Sequence, residues 1–245
     1  MNILRSLLFW IISVCYMIVL FPLNLIIWLL VLPFDRKNLV VHWLLVHQSV
    51  ILKELLPFWK FTVEGREKAD EKTSYIIISN HQSMLDILYL NTLRYKYKWI
   101  SKIENSKVPL LGWYLKMAGY IIINRGNDES KAEMFEKSLR CLERGVSIMI
   151  FPEGTRSPDS QIALFKLGAF QMALMANVPI LPVILDGTGG ILPKHGWILG
   201  NSRLISMRVL DPVYPSSFGT DNPDELAVKF HKLMTSELNN LRNEN

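Results

Sequence analysis

The residues best equipped for chemistry follow a short apolar, β-branched run. Tyr75-Ile76-Ile77-Ile78-Ser79 opens into Asn80-His81-Gln82-Ser83-Met84-Leu85-Asp86. A histidine at the carboxyl end of a buried strand stands where α/β sheets place their ligand sites. Imidazole takes up and releases a proton near neutral pH, so His81 is a candidate general base. Asp86 comes five residues later, and on one continuous helix that spacing would put the two side chains on different faces. They can meet if His81 lies in the turn and a helix begins near Ser83, because side chains in a first helical turn lean back toward the N-terminus. Asp86 would then fix one imidazole tautomer and leave the other ring nitrogen free to accept a proton. The same residues also spell a capping box, Ser83-Met84-Leu85-Asp86, in which the carboxylate only satisfies a backbone amide. Spacing alone leaves both readings open. An N-cap role explains Ser83 more simply than nucleophilic attack does.

A second constellation ends the apolar run 146–151: Phe151-Pro152-Glu153-Gly154-Thr155-Arg156-Ser157. A turn of this composition can offer backbone amides, the Thr155 hydroxyl and the Arg156 guanidinium to an anion. The run 120–123 ends similarly, in Asn124-Arg125. Parallel strands ending on one rim would gather His81, Arg125 and Arg156 into one base and two phosphate-binding groups. Taken singly, either arginine is as well explained by a surface ion pair. There is no Gly-x-Ser-x-Gly elbow, no His/Cys/Glu cluster at metal spacing and no P-loop, so neither cofactor nor metal is expected. Gly187-Thr188-Gly189-Gly190 lacks dinucleotide-binding spacing and reads as a loop, and His195 reads as a surface residue in a turn.

Strands alternating with helices must position these groups. Residues 61–63, 75–79, 98–101, 120–123, 146–151, 180–185 and 204–210 read as strands. Residues 109–118, 128–144, 166–176 and 223–241 read as helices, with 64–72 a charged loop. The expected fold is α/β, a mixed and mostly buried sheet flanked by helices.

The N-terminal quarter has a different texture. Residues 6–34 carry no Asp, Glu, Lys or Arg. That run is longer than a signal-peptide core and long enough for a bilayer. Trp10, Tyr16, Phe21, Trp28 and Phe34 are expected to spread around a helix in lipid. Pro22 and Asn24, in mid-run, allow either one kinked helix or a shallow hairpin returning to the same leaflet. Residues 37–59 have a mixed amphipathic pattern, with His42 and His47 as packing or interfacial residues. The organisation is thus an N-terminal membrane-associated helical region, 1–57, and an α/β domain, 58–245. The net charge of +5 contains no nucleic-acid-like basic block and suits anionic headgroups. Two distant cysteines, Cys15 and Cys141, give no disulfide framework and fit a reducing cytosolic setting.

Four blocks together resemble the glycerophospholipid acyltransferase family, in its 1-acylglycerol-3-phosphate acyltransferase (PlsC) type. They are Asn80-His81-x4-Asp86, Gly119-x5-Arg125, Phe151-Pro152-Glu153-Gly154-Thr155-Arg156-Ser157 and Val178-Pro179-Ile180-Leu181-Pro182-Val183, in the family's order. The resemblance covers residues 75–185 and implies an acyltransferase domain. It implies that an acyl thioester, on coenzyme A or acyl carrier protein, donates to the 2-hydroxyl of lysophosphatidic acid. The product is phosphatidic acid, in phospholipid biosynthesis at a membrane, with the active site on the cytoplasmic face. It implies His81 as base and Asp86 as its partner. Arg125, Gly154, Thr155 and Arg156 would hold the acceptor phosphate, Glu153 would contact the glycerol or its network, and Lys102 resembles a family lysine near the phosphate. The expected partners are the lysophospholipid acceptor, the acyl-CoA or acyl-ACP donor and the lipid bilayer, with no nucleic acid. A different lysophospholipid acceptor, or a catalytically silent membrane-binding protein, remains the alternative.

Overall fold

The run before His81 forms the centre of the fold. Ile76, Ile77 and Ile78 are fully buried, as a strand covered on both faces must be. The computed structural model describes residues 2–56, 58–70, 72–202 and 204–244. Pro57, at the expected boundary between the two regions, and Glu71, in the expected charged loop, lie outside them. In chain order the elements are α1 (Asn2–Val31), α2 (Leu39–Leu55), β1 (Lys60–Glu64), β2 (Ile76–Ser79), α3 (Leu85–Leu90), β3 (Tyr97–Lys102), α4 (Ile103–Ser106), α5 (Leu111–Met117), β4 (Ile121–Ile123), α6 (Asp128–Glu143), β5 (Ser147–Ile150), α7 (Gly168–Ala176), β6 (Ile180–Asp186), α8 (Thr188–Ile191), β7 (Leu204–Val209) and α9 (Pro223–Glu244).

The seven strands lie in the order β1-β7-β6-β2-β5-β3-β4. β2 pairs in parallel with β5 and β6, and β3 with β5 and β4, so five carboxyl ends share one rim. β7 runs antiparallel to β6 and parallel to β1, which makes the sheet mixed, as expected. Alternate side chains enter two apolar layers. Ile77, Met149 and Leu181 pack with Phe9, Leu56, Trp59 and Tyr89 on one face. Ile76, Ile78 and Ile148 pack with α6, α7 and α9 through Met134, Phe170 and Phe230 on the other.

Of the two arrangements left open for α1, the single helix is present: it continues through Pro22, and the chain reverses only after Val31. Asp35 then accepts from Leu39 N (2.9 Å) and Val40 N (2.7 Å), starting α2. The surroundings of α1 do depart from expectation: they are one-sided. Asn24 and Gln48 exchange amide hydrogen bonds of 3.0 and 2.8 Å, which docks α1 on α2. Trp10 Nε1 donates to Trp197 O (2.8 Å), Tyr16 OH to Gln48 O (3.1 Å), and Phe21 meets Tyr114 edge-on. Trp10 and Tyr16 therefore turn their polar edges to protein partners, and Phe21 turns its ring to protein. The outward face is an unbroken apolar stripe at helical spacing: Leu4, Leu8, Ile11, Ile18, Val19, Ile26 and Leu30 are exposed. α1 is long and apolar enough to cross a membrane. His42 is fully buried between Tyr120 OH and Tyr95 O, and burial pushes its pKa down to about 4, so it is a neutral packing residue.

Candidate active site

β2 is terminated by a side chain. Asn80 donates to Leu185 O (2.7 Å) and accepts from Leu185 N (2.9 Å), so its amide occupies the next place in the ladder with β6. The chain then turns, and α3 begins at Leu85. Within this turn Asp86, fully buried, is the organising group. Its Oδ2 accepts from His81 Nδ1 at 2.7 Å, Gln82 N at 2.7 Å and Ser83 N at 2.9 Å. Its Oδ1 accepts from the buried Thr188 hydroxyl. The capping contact and the His–Asp pair are therefore not alternatives, since one carboxylate oxygen serves both. The helix bounds put Met84 at the N-cap position, but it is the Ser83 hydroxyl that accepts from Leu85 N at 3.2 Å, the cap-type contact expected of it, while donating to Leu192 O at 2.8 Å, which leaves it poorly placed as a nucleophile.

The imidazole is also held from its face. Phe151 stacks on it, centroids 3.8 Å apart and planes within 7°, and Trp99 stacks behind Phe151 at 5.2 Å. With Nδ1 on Asp86, the ring can present Nε2, which has no hydrogen-bond partner among the described residues. The His81 side chain is 16% exposed. An imidazole held this way is oriented and reachable, as a proton acceptor must be.

Glu153 is held in the network around His81, one of the two places expected for it. It is buried, its Oε1 accepts from His81 N (2.7 Å) and its Oε2 from Ala163 N (2.9 Å). Both oxygens are engaged by backbone, so the carboxylate braces the His81–Asp86 turn against the loop after β5. No contact with a glycerol is required of it. Burial raises its pKa to about 7, Asp86 and Asp159 adding to the rise, against the two backbone amides. Ser157 N donates to His81 O (2.7 Å), a second tie between the loops. Gly154 takes φ +73°, and a Cβ there would press on Lys166.

The cations form a row along the rim. Arg156 follows β5, the neighbour of β2; Lys102 ends β3, and Arg125 follows β4. Thr155, Lys102 and Arg125 are exposed and Arg156 partly so. Neither arginine has a hydrogen bond or ion pair with another described residue. The expected meeting of His81, Arg156 and Arg125 at one point is thus a line, because three strand spacings separate β2 from β4, about 14 Å. Lys166, against Gly154, joins this side of the site and went unnoticed in the sequence because it lies outside the motif. On the opposite side, Arg242 is neutralised by Asp186 (2.9 Å) and also binds Ser160 O, while Gln82 donates to Asp186 at 3.0 Å. Thr188, in a segment read as a loop, lies in α8 and was missed as a partner of Asp86. Gly189 fits there because a Cβ would collide with Ser160 Oγ.

Residues 60–186 match the family described as Acyltransferase. A 1-acyl-sn-glycerol-3-phosphate acyltransferase of Chlamydomonas reinhardtii is 35% identical over 237 residues, 96% of this chain and 70% of the algal one. The enzyme of that name from Haemophilus influenzae is 31% identical, over 78% of this chain and 80% of its own. A chloroplastic one from Brassica napus is 34% identical, and there the match spans 54% of the relative's length. The crystal structure of the 1-acyl-sn-glycerophosphate acyltransferase PlsC from Thermotoga maritima superposes with a TM-score of 0.82 at 25% identity, covering 98% of this chain and 96% of that one. By the family match, the similarity of its relatives and the shared fold, the chain belongs to the Acyltransferase family.

Proposed function

We propose that the protein moves an acyl group from a thioester, on coenzyme A or acyl carrier protein, to the sn-2 hydroxyl of lysophosphatidic acid, forming phosphatidic acid. The observation that carries this reading is the oriented His81, with Nδ1 on Asp86 at 2.7 Å and Nε2 reachable. His81 Nε2 takes the hydroxyl proton as the acceptor oxygen bonds to the thioester carbonyl carbon. The tetrahedral intermediate then expels the thiolate, which recovers the proton from the imidazolium. A thioester is already activated, so a positioned hydroxyl and a base suffice. Asp86 stabilises the transient imidazolium. The names of the relatives support lysophosphatidic acid as acceptor.

The phosphate lies on the β5–β3–β4 side of His81. Arg156, Thr155 and the Gly154 turn make the nearer contacts, with Lys102 and Arg125 further along the rim. The opposite side offers Arg242, already neutralised by Asp186. Glu153 acts through the position of His81. The stripe on α1 lies in one leaflet of the bilayer, and the rim faces the cytoplasm, where acyl thioesters are made. Retention of the protein on membranes through a high-salt wash, with release by detergent, tests the anchor; release by salt would assign attachment to surface charge. Thiol release from an acyl thioester tests the reaction. It should depend on added lysophosphatidic acid, and equal release without acceptor would make the protein a thioesterase.

A further inference from the structure

A cationic cavity lies at the edge of the sheet formed by the amino ends of β3, β4 and β5, opposite the rim that carries His81. It measures about 280 Å³ and is lined by Arg36, Lys37, Lys98, Lys137, Arg140 and Arg144, with no carboxylate in its wall. Lys98 lies at the amino end of β3, level with Ile76 through Ile148. His81 is therefore five residues further along and two strands across, roughly 19 Å away.

The simplest account of these charges is that they complement the carboxyl end of α6, where Lys37 Nζ donates to Arg144 O at 2.8 Å. A helix terminus carries only about half an elementary charge, which one lysine answers. Glu133 and Glu136 pair with Lys137 and Arg140. Asp35 lies near Lys98 but spends both oxygens on the first amides of α2. That leaves Arg36 and Arg144, both exposed and without a hydrogen bond or ion pair from their side chains to another described residue. Lys98 is held rigidly inside: it is 2% exposed and donates to Asn38 O (2.9 Å) and Ala118 O (2.5 Å). Burial pulls its ammonium down to about 8, which still leaves it mostly charged near neutral pH, and an anion that enters would favour the charged form further.

The neighbourhood narrows the ligand. The turn carrying Arg36 and Lys37 also carries Leu32 and Phe34, 48% and 86% exposed. An apolar tip beside a confined cationic cavity suits a compact anion with an apolar tail. Planar guanidinium forks suit phosphate oxygens. We propose that this cavity is a second phosphate-binding site, separate from the catalytic one, which takes the phosphate of an anionic lipid headgroup at the turn between α1 and α2.

The test uses the full chain in neutral maltoside micelles, with equilibrium binding of inorganic phosphate and of dihexanoylphosphatidylglycerol, for wild type and for Arg36→Gln/Arg144→Gln. The double variant should lose one bound phosphate group per chain, or bind it at least tenfold more weakly, with unchanged melting temperature and unchanged acyl transfer on neutral micelles. Loss with the short-chain lipid supports the headgroup assignment. Loss seen with inorganic phosphate alone overturns it in favour of a soluble anion. Unchanged stoichiometry and affinity for both probes overturns the site itself. Should the double variant fail to fold, the single variants Arg36→Gln and Arg144→Gln, each on an exposed side chain without an ion pair to another described residue, provide the same comparison.

Discussion

Asp86→Asn separates the charge of the catalytic pair from its geometry. The amides of Gln82 and Ser83 can only donate, so asparagine must turn its oxygen toward them, into the place of Oδ2. That oxygen still faces His81 Nδ1, and the side-chain NH2 meets the Thr188 hydroxyl, which can rotate to accept. Tautomer and turn should survive. What disappears is the negative charge beside the imidazolium. Two unit charges about 4 Å apart interact by about 4 kcal/mol at an effective dielectric of about 20, which corresponds to roughly a thousandfold in rate. Exchanging charge-assisted for neutral hydrogen bonds should cost about 1 kcal/mol of stability. Single-turnover kinetics and thermal melts on the same preparation measure both quantities. A variant that melts several degrees lower yet keeps turnover within tenfold of wild type would reduce Asp86 to a cap and refute the charge argument.

Thr188→Val leaves a buried carboxylate oxygen without its donor. It should lower stability by about 1–3 kcal/mol and turnover by about tenfold, with Thr188→Ser restoring both; a valine variant with wild-type turnover would exclude Thr188 from positioning. Glu153 titrates at about 7 in the folded chain against an ordinary 4.5, so the folded state binds its proton more tightly than the unfolded state does. Its contribution is then full below pH 4.5 and is lost as pH rises through 7, by up to about 3 kcal/mol. Urea unfolding of wild type and Glu153→Gln from pH 4.5 to 8 should show that slope in wild type only, and parallel profiles would contradict it. Arg156→Ala should raise the acceptor KM by roughly 10–100-fold and leave the donor KM alone, with Arg125→Ala having the smaller effect because it lies further along the rim. A change confined to the donor KM would move these arginines to the thioester side.

The sequence made legible what is local. The isoleucine run before His81, the helical period of residues 128–144 and the turns after β2 and β5 follow from neighbours in the chain, and each stands where it was expected. What escaped depends on contacts across the sheet. Nothing near Thr188 announces a bond to Asp86, 102 residues away, and nothing in Phe151 announces that its ring lies on His81. For Glu153 the motif left open the glycerol or its network, and only the fold shows the two backbone amides, of His81 and Ala163, that hold its carboxylate. The row of cations stretched from a point to a line because strand order is not written in strand sequence. α1 shows the same limit. Its composition said lipid on all sides, while Asn24 and the aromatic edges found partners in α2, α5 and the loop around Trp197.

If His81 is the base of an acyl transfer to a lysolipid hydroxyl, its removal must stop product formation without unfolding the chain. Purified wild type and His81→Ala, incubated with lysophosphatidic acid and an acyl thioester and read by lipid mass spectrometry with sn-position analysis, test it most directly. Wild type should form phosphatidic acid newly acylated at sn-2, and the His81→Ala chain should form it about 10²–10⁴-fold more slowly, or slower still, at an unchanged melting temperature. Product formation within a few-fold of wild type by that variant, or none from wild type with the acceptor present, would contradict it.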